Sequence, residues 1–247
     1  MMSRLQYALA LLQQNARPSE LPGMARFGIN PESRLGLSMP AMRRIAKTLD
    51  HDHALALALW DTGIPDARIV AGMVAEPSEL TSRQMDDWVA SFTSWDVCDQ
   101  VCSSGFLGSP LAWSKVPEWA ASGAEFVRRA AFALLATLAV HDKEAANERF
   151  VDMLALIEAA SGDERNFVKK AVNWALRNIG KRNLVLNAAA IDAARRIQQQ
   201  GSRSARWIAA DALRELNGDA VQKRVQTPRS SANVVCKAVH KSATEFK

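Results

Sequence analysis

Residues 170–176 read Lys-Ala-Val-Asn-Trp-Ala-Leu, a cation followed by small and apolar residues. Similar stretches begin at Arg68, Arg129 and Arg206, and the last three copies start 41 and 36 residues apart. A period of about 40 residues with two helices in each repeat is typical of stacked helical hairpins. Such stacks curve, and the second helix of each hairpin lines the concave surface. The pattern therefore predicts a helical solenoid whose cations follow one another along that surface.

The composition agrees with a helical chain. The 247 residues are 48% hydrophobic and include only 12 glycines and 9 prolines, which favours helix throughout. No segment shows the sustained two-residue alternation of a strand. We therefore predict an all-α fold, a helical-hairpin solenoid of the HEAT-like or armadillo type with a concave basic face. Because alanine-rich helices also pack into ordinary bundles, a bundle stays open as the alternative.

The periodic helical pattern ends at residue 216. Residues 217–247 hold one proline, several serines and isolated basic residues, without a periodic apolar face. We predict one domain at residues 1–216 and a basic, flexible tail at residues 217–247. Residues 15–23, which contain two prolines, are predicted to form a bend. Five tryptophans are assigned to packing: Trp60, Trp88, Trp113, Trp119 and Trp207.

Several classes of protein do not fit the sequence. No run of 18 apolar residues predicts a membrane span, and the first residues lack the apolar core of a signal peptide. The three cysteines cannot all pair, and we interpret Cys98 and Cys102, one helical turn apart, as reduced packing residues. Four scattered histidines supply no recognised ligand spacing, so no metal site is predicted. We expect a cytoplasmic monomer without metal or cofactor.

The net charge of +5 is distributed unevenly. Residues 1–162 carry 14 Lys/Arg against 19 Asp/Glu, whereas residues 163–214 carry 11 against 4. A phosphate backbone is the commonest partner of such a basic block. A set of solvated helix faces is the alternative, and charge alone does not decide between the two.

The stretch Ser94-Trp95-Asp96-Val97-Cys98-Asp99 is the strongest candidate for a functional site. Ser94 can cap a helix on which Trp95 and Asp99 are four residues apart and share one face. A flat apolar ring beside a carboxylate suits a flat or sugar-like substrate that becomes positively charged as it reacts. The alternative is structural: Trp95 belongs to the core, and the acidic residues favour the first helical turn.

Three stretches together resemble the DNA alkylation repair family, the alkylpurine DNA glycosylases built from HEAT-like repeats. They are residues 94–99 (SWDVCD), 126–131 (FVRRAA) and 165–177 (RNFVKKAVNWALR), and residues 27–29 (FGI) also fit. The resemblance spans about residues 24–216 of this chain. It implies a base-excision-repair enzyme that hydrolyses the N-glycosidic bond of cationic N3- or N7-alkylated purines in duplex DNA. No metal or cofactor is implied.

The family pattern implies a site of two tryptophans, an aspartate and an arginine: Trp95, Trp174, Asp99 and Arg129. The Asp99 carboxylate would stabilise the oxocarbenium-like sugar and orient the attacking water. The two indole rings would pack on the sugar and attract its positive charge. Arg129 would anchor a phosphate beside the lesion. Asp96 is interpreted as a supporting residue of the helix start.

Further cations of the basic block are predicted to contact DNA phosphates, together with Arg128: Lys169, Lys170, Arg177, Lys181 and Arg182. Each of them could instead be plain surface. Trp174, between Val172 and Leu176, could be a core residue. Arg129 could pair with Glu125, one helical turn earlier.

Two other functions stay open at this stage. The first is a non-catalytic member of the same fold that binds nucleic acid or protein along its concave face. An intact set of Trp95, Asp99, Arg129 and Trp174 favours the enzyme, whereas Asp99 buried in a salt bridge without a cleft would favour the binding module. The second is a helical-repeat protein scaffold, which needs an apolar concave surface.

Overall fold

The computed structural model describes residues 2–226, which form fourteen α-helices and no strand. A short 3₁₀-helix at Pro18–Glu20 precedes α2, and a π-helical stretch at Cys102–Phe106 continues α7. This confirms the predicted all-α class. The α-helices are α1 (Arg4–Gln14), α2 (Leu21–Arg26), α3 (Met39–Leu49), α4 (His53–Asp61), α5 (Pro65–Val74), α6 (Ser82–Ala90), α7 (Trp95–Val101), α8 (Ala112–Ala120), α9 (Glu125–His141), α10 (Asn147–Ala160), α11 (Asn166–Gly180), α12 (Leu184–Gln198), α13 (Arg203–Leu216) and α14 (Asp219–Gln226).

Local capping explains where many of these helices begin. Before six helices, a short polar side chain accepts a hydrogen bond from the backbone N–H three residues later, which satisfies a donor that the helix cannot pair itself. At α1 and α6 a glutamine completes the capping box by bonding back to the cap residue. The six cap residues are Ser3, Ser38, Asp52, Thr81, Asn183 and Ser202.

The helices stack as a solenoid. The second helices of successive pairs, α5, α7, α9, α11 and α13, pack one against the next in chain order. Helix α9 is central to this layer: residues 129–139 are all buried, and α11 packs closely along it. The small side chains of this segment let neighbouring helices approach on several sides. The surface available to a ligand is therefore concentrated at the helix ends, not spread along α9.

The N-terminal segment closes over this layer. Residues 15–23, predicted to be a bend, contain the 3₁₀-turn and the first half of α2. At the end of α2, the backbone carbonyl of Phe27 accepts a hydrogen bond from Trp95 Nε1 at 3.1 Å. Gly28 follows with φ of +74°, and a Cβ there would lie 3.5 Å from the ring of Phe167. Residues 27 and 28 thereby contact both α7 and α11.

The ordered fold extends past the predicted domain boundary. Helix α14 follows residue 216, and Val221 and Val225 on it are buried. Gln222 donates to the side chain of Asn187 on α12 and to the carbonyl of Leu216. The prediction of a loosely ordered segment from residue 217 is wrong for residues 219–226, because two valines four residues apart give this short helix an apolar face. The rest of the predicted tail lies outside the described residues.

Most tryptophans predicted to serve packing do so, but one does not. Trp60 and Trp88 are buried and stack with ring centroids 4.0 Å apart, and Trp119 is also buried. Trp113 is partly buried and donates to Asp142. Trp207 is 41% exposed on α13, so it does not serve the packing of the core.

Cys98 and Cys102 are free and buried, as predicted. Burial raises the pKa of the Cys98 thiol well above its usual value, which keeps it protonated and inert. The third cysteine lies outside the described residues.

Candidate active site

A cleft of about 580 Å³ opens where α2, α7, α9 and α11 meet. One lip is formed by the end of α2, the floor by side chains of α7 and α9, and the other lip by the first turns of α11. An aromatic ring lies on each of these lips and on the floor, and a cation lies on both lips. The lining residues are Arg26, Phe27, Gly28, Trp95, Arg129, Asn166, Phe167 and Lys170.

The start of α7 is fixed by the N-terminal loop. Ser94 is the N-cap residue, but its hydroxyl bonds to Asp96 Oδ1 at 2.5 Å instead of capping a helix N–H. The same hydroxyl accepts from the backbone N–H of Asn30, and Arg34 Nη2 donates to Asp96 Oδ1 at 2.7 Å. The side chain of Arg34 is only 1% exposed. Asp96 is therefore the anchor that orients this helix, as its interpretation as a supporting residue requires.

Asp99 and Arg129 form a bidentate ion pair between α7 and α9. Arg129 Nε donates to Asp99 Oδ1 at 3.0 Å, and Nη2 donates to Oδ2 at 2.7 Å. The third donor, Nη1, bonds to the carbonyl of Phe167 at 2.6 Å. The alternative pairing with Glu125 is not the one formed. Such a planar two-point contact fixes both side chains more tightly than a single bond does.

Burial and charge act in opposite directions on this pair. Burial raises the pKa of the Asp99 carboxyl, and the Arg129 guanidinium opposes that rise. Burial likewise opposes the charge of Arg129, but Asp99 outweighs it and the pKa of Arg129 is raised. On balance the pKa of Asp99 stays above its ordinary value, because burial outweighs the opposing effect of the guanidinium.

Trp95 places its ring at the floor of the cleft. The ring centroid lies 5.9 Å from the guanidinium carbon of Arg129, and the ring of Phe167 lies 6.0 Å from the same carbon on another side. These distances are at the outer limit of cation–π contact. The structure thus brings together three of the four predicted site residues: Trp95, Asp99 and Arg129.

Trp174 is not part of this group. It lies seven residues after Phe167 on α11, about 10 Å along the helix axis at 1.5 Å per residue. It is partly buried against the core and does not line the cleft. The packing alternative describes its contacts in this structure, and its assignment to the site stays a prediction.

Of the six cations predicted to contact phosphates, four bond to other groups of the protein. Arg128 pairs with Asp163, while Arg177 and Lys181 both pair with Glu215. Arg182 donates to the carbonyl of Ala139 and lies over the ring of Phe150. These contacts brace one repeat against the next, so they give no support to a role in binding DNA. The other two predicted contacts are Lys169, which lies over the Trp207 ring, and Lys170, which is exposed at the cleft.

Five residues that line the cleft are absent from the predicted site residues: Arg26, Phe27, Gly28, Asn166 and Phe167. Phe27 is 78% exposed, and its ring stands at the lip while its backbone carbonyl is held by Trp95. Arg26 adds a cation beside it. Residues 27–29 had drawn attention only through the family resemblance. Nothing in the sequence indicated that the N-terminal segment would reach α11.

No group of three or more His, Cys, Asp or Glu side chains within residues 2–226 is placed to hold a metal ion. In the same range, none of the helices combines the length and apolar character needed to cross a membrane.

Comparison with known proteins identifies the family. The model of the family described as DNA alkylation repair enzyme matches residues 8–216. The chain belongs to that family. No curated protein sequence matched it. As a member of the DNA alkylation repair enzyme family, it carries the residues of the cleft and the Asp99–Arg129 pair inside the matched region.

Solved structures show the same architecture. One similar structure is described as a new family of proteins related to the HEAT-like repeat DNA glycosylases, with affinity for branched DNA structures. It is 20% identical, has a TM-score of 0.72, and the match covers 90% of this chain and 95% of that chain. At this identity the likeness shows the fold, which confirms the predicted HEAT-like solenoid. A designed armadillo repeat protein in complex with a (KR)4 peptide is 16% identical, with a TM-score of 0.36 and coverage of 84% and 97%.

Proposed function

We propose that this chain is an alkylpurine DNA N-glycosylase that releases cationic N3- or N7-alkylated purines from duplex DNA. One observation carries the proposal. A buried carboxylate, Asp99, is held by Arg129, and Arg129 lines a cleft together with the aromatic residues Phe27, Trp95 and Phe167 and the cations Arg26 and Lys170. Family membership over residues 8–216 supports the DNA repair context.

The chemistry needs little from the protein besides electrostatics. A purine alkylated at N3 or N7 is already cationic and leaves as a neutral base, so no general acid has to protonate it. Breaking the glycosidic bond builds positive charge on the deoxyribose. The Asp99 carboxylate would stabilise that charge, and the Trp95 face beside it would attract the same cation. Water then adds to the sugar carbon that the base has left.

Arg129 takes a different role in this proposal from the phosphate anchor first expected. Three of its five N–H groups are committed to Asp99 and to Phe167. It therefore acts first as a positioning residue, because it fixes the direction of a largely buried carboxylate and opposes the rise in pKa that burial causes. Since Arg129 also lines the cleft, a phosphate there could still meet its remaining N–H groups.

Phosphate contacts in the proposal come from the lips of the cleft. Lys170 on α11 and Arg26 on α2 line the cleft together with Trp95. Neither takes part in an ion pair among the described residues. A backbone lying across the cleft would meet both of them, with the deoxyribose above the indole.

A direct assay tests the proposal. The protein is incubated with methylated duplex DNA, and the supernatant is analysed for free 3-methyladenine and 7-methylguanine. Release by the parent and strongly reduced release by Asp99→Asn is the expected result. If the parent releases neither base while binding the duplex, the glycosylase proposal is wrong.

A second candidate is a non-catalytic DNA-binding member of the same fold. The observation that favours it is that both Asp99 oxygens already accept hydrogen bonds from Arg129. A similar structure of the same fold is described as having affinity for branched DNA. Comparing binding to a four-way junction with binding to a blunt duplex distinguishes this candidate. It predicts a clear preference for the junction and no base release.

A further inference from the structure

An exposed tryptophan lies outside the cleft, beside α11. Trp207 is in the first half of α13 and is 41% exposed. The ammonium of Lys169 on α11 lies 5.1 Å from the centroid of its ring, within cation–π range. A large apolar ring held at the surface beside a lysine contributes little to the core, so another role has to account for it.

The surroundings of Trp207 are strongly basic. Arg203 lies four residues earlier on the same helix face, is exposed and makes no ion pair among the described residues. Arg206 is exposed as well, and its guanidinium bonds to the carbonyl of Gly201. Helix α11 contains no acidic residue, and α13 has none before Asp211. One acidic side chain, Glu164, bonds to the first turn of α13 at the backbone N–H of Ser204.

The basic surface around Trp207 is continuous with the cleft. Lys169 and Lys170 are neighbours on α11, and Lys170 lines the cleft while Lys169 faces α13. Helices α11 and α13 pack against each other, so Trp207 and Lys170 lie on adjacent helices. Further along α13, Ala210 is exposed, and the half-buried Asp211 accepts a hydrogen bond from Asn173.

We infer that Trp207, with Lys169 and Arg203, binds an unpaired nucleotide of a DNA strand next to the duplex in the cleft. A duplex offers only base edges and backbone, whereas an unpaired base has a free face that an aromatic ring can stack on. Cations around the ring hold the phosphates of the same strand. Because the surface around Trp207 is basic, charge complementarity favours a nucleic-acid strand over a protein partner that lacks acidic residues. The inference rests on the DNA binding proposed above, but not on base release.

Fluorescence anisotropy with two unmethylated probes tests this inference. One probe is a blunt duplex, and the other is the same duplex with a short single-stranded oligothymidine extension. The parent is expected to bind the extended duplex about tenfold more tightly, on the scale of one stacked base. Trp207→Ala should lose this gain and leave affinity for the blunt duplex nearly unchanged. Trp207→Phe, which keeps a ring, should retain most of it.

Tyr7→Ala is the matched control, because Tyr7 is a comparably exposed aromatic residue on α1, far along the chain. It should keep the full gain. Equal binding of the two probes by the parent, or an equal loss on both probes in Trp207→Ala, would overturn the inference. Base release from methylated blunt duplex is measured separately. If release is absent but the gain depends on Trp207, the glycosylase proposal fails and this inference stands.

Discussion

Asp99 and Arg129 share two hydrogen bonds, 3.0 Å and 2.7 Å long, between helices that are adjacent in the concave layer. Their side chains are 14% and 6% exposed, respectively. Because the pair is largely removed from water, each partner is held in place by the other, and neither charge can be deleted without affecting its partner. The chemistry at Asp99 and the packing of α7 on α9 are therefore tested by the same substitutions.

Replacing the carboxylate is the first test of catalysis. Asp99→Asn keeps the shape and removes the charge that would stabilise the developing sugar cation. We expect base release to slow by about 10²-fold or more, the scale of losing one electrostatic contact to a transition state. Single-turnover release at saturating protein measures it. A variant that matches the parent in rate would remove Asp99 from the mechanism.

A stability measurement must accompany that rate. Asp99→Asn leaves a buried guanidinium without its partner, which destabilises the fold as well. Circular dichroism at the assay temperature and duplex binding show whether the variant is still folded. Slow release by a folded, DNA-binding variant is the expected combination.

Arg129 is expected to act through the ionisation of Asp99. In Arg129→Ala, burial would raise the pKa of Asp99 with nothing to oppose it. A carboxyl with a raised pKa is protonated up to a higher pH, so the acid limb of the rate profile should move to higher pH. Activity lost at neutral pH should then recover partly in alkaline buffer. A uniform loss at every pH would point instead to a phosphate contact.

Arg129→Lys serves as the intermediate case. It keeps the positive charge and loses the two-point geometry. The acid limb of its pH–rate profile should lie between the acid limbs of the parent and of Arg129→Ala. An acid limb identical to that of Arg129→Ala would show that geometry, and not charge, keeps Asp99 ionised.

Salt dependence tests which cations meet phosphate. Replacing Lys169 and Lys170 with glutamine should flatten the slope of log affinity against log salt by about two units. The matched control is Arg177→Gln with Lys181→Gln, which removes the same charge from residues that already pair with Glu215. We expect a smaller change in slope for the control. Equal slopes in both double variants would mean that net charge, and not contact, sets the affinity.

Asp163 gives the fold a defined pH dependence. Hydrogen bonds from Arg165, and then from Arg128, lower the pKa of its carboxyl to about 2. A carboxyl whose pKa is lowered by folding stabilises the native state above its unfolded pKa of about 4, and this contribution disappears as pH falls towards 2. Its side chain is 6% exposed. We expect Asp163→Asn to cost about 2 kcal/mol at pH 7, measured by urea unfolding.

The pH series supplies the control for that variant. The difference between the parent and Asp163→Asn should narrow as pH falls from 5 to 3, because the parent loses the same contribution. A difference that stays constant over this range would assign the effect to packing and not to ionisation.

The sequence predicted the elements well and the long-range contacts poorly. Helical periodicity is a local signal, and the helices of the structure follow it. The pairing of Trp95 and Asp99 is also local, since both are on one short helix. In contrast, the partner of Arg129 is 30 residues away and the contact of Gly28 with Phe167 crosses 139 residues. The free or paired state of each cation depends on such distant partners, which a pattern of cations alone does not encode.

The C-terminal boundary gives the last test. Truncation after Asn217 removes α14, whose two buried valines and Gln222 contacts cover α12. We expect a lower melting temperature, because the free energy of unfolding should fall by at least the roughly 1.5–3 kcal/mol that burying one aliphatic side chain contributes. Truncation after Gln226 removes only residues beyond α14 and should leave the melting temperature unchanged within a few degrees. Because residues 227–247 are basic, this shorter truncation should weaken DNA binding more at low salt than at high salt. If both truncations melt like the parent, α14 adds nothing to the solenoid, and the boundary belongs at residue 216.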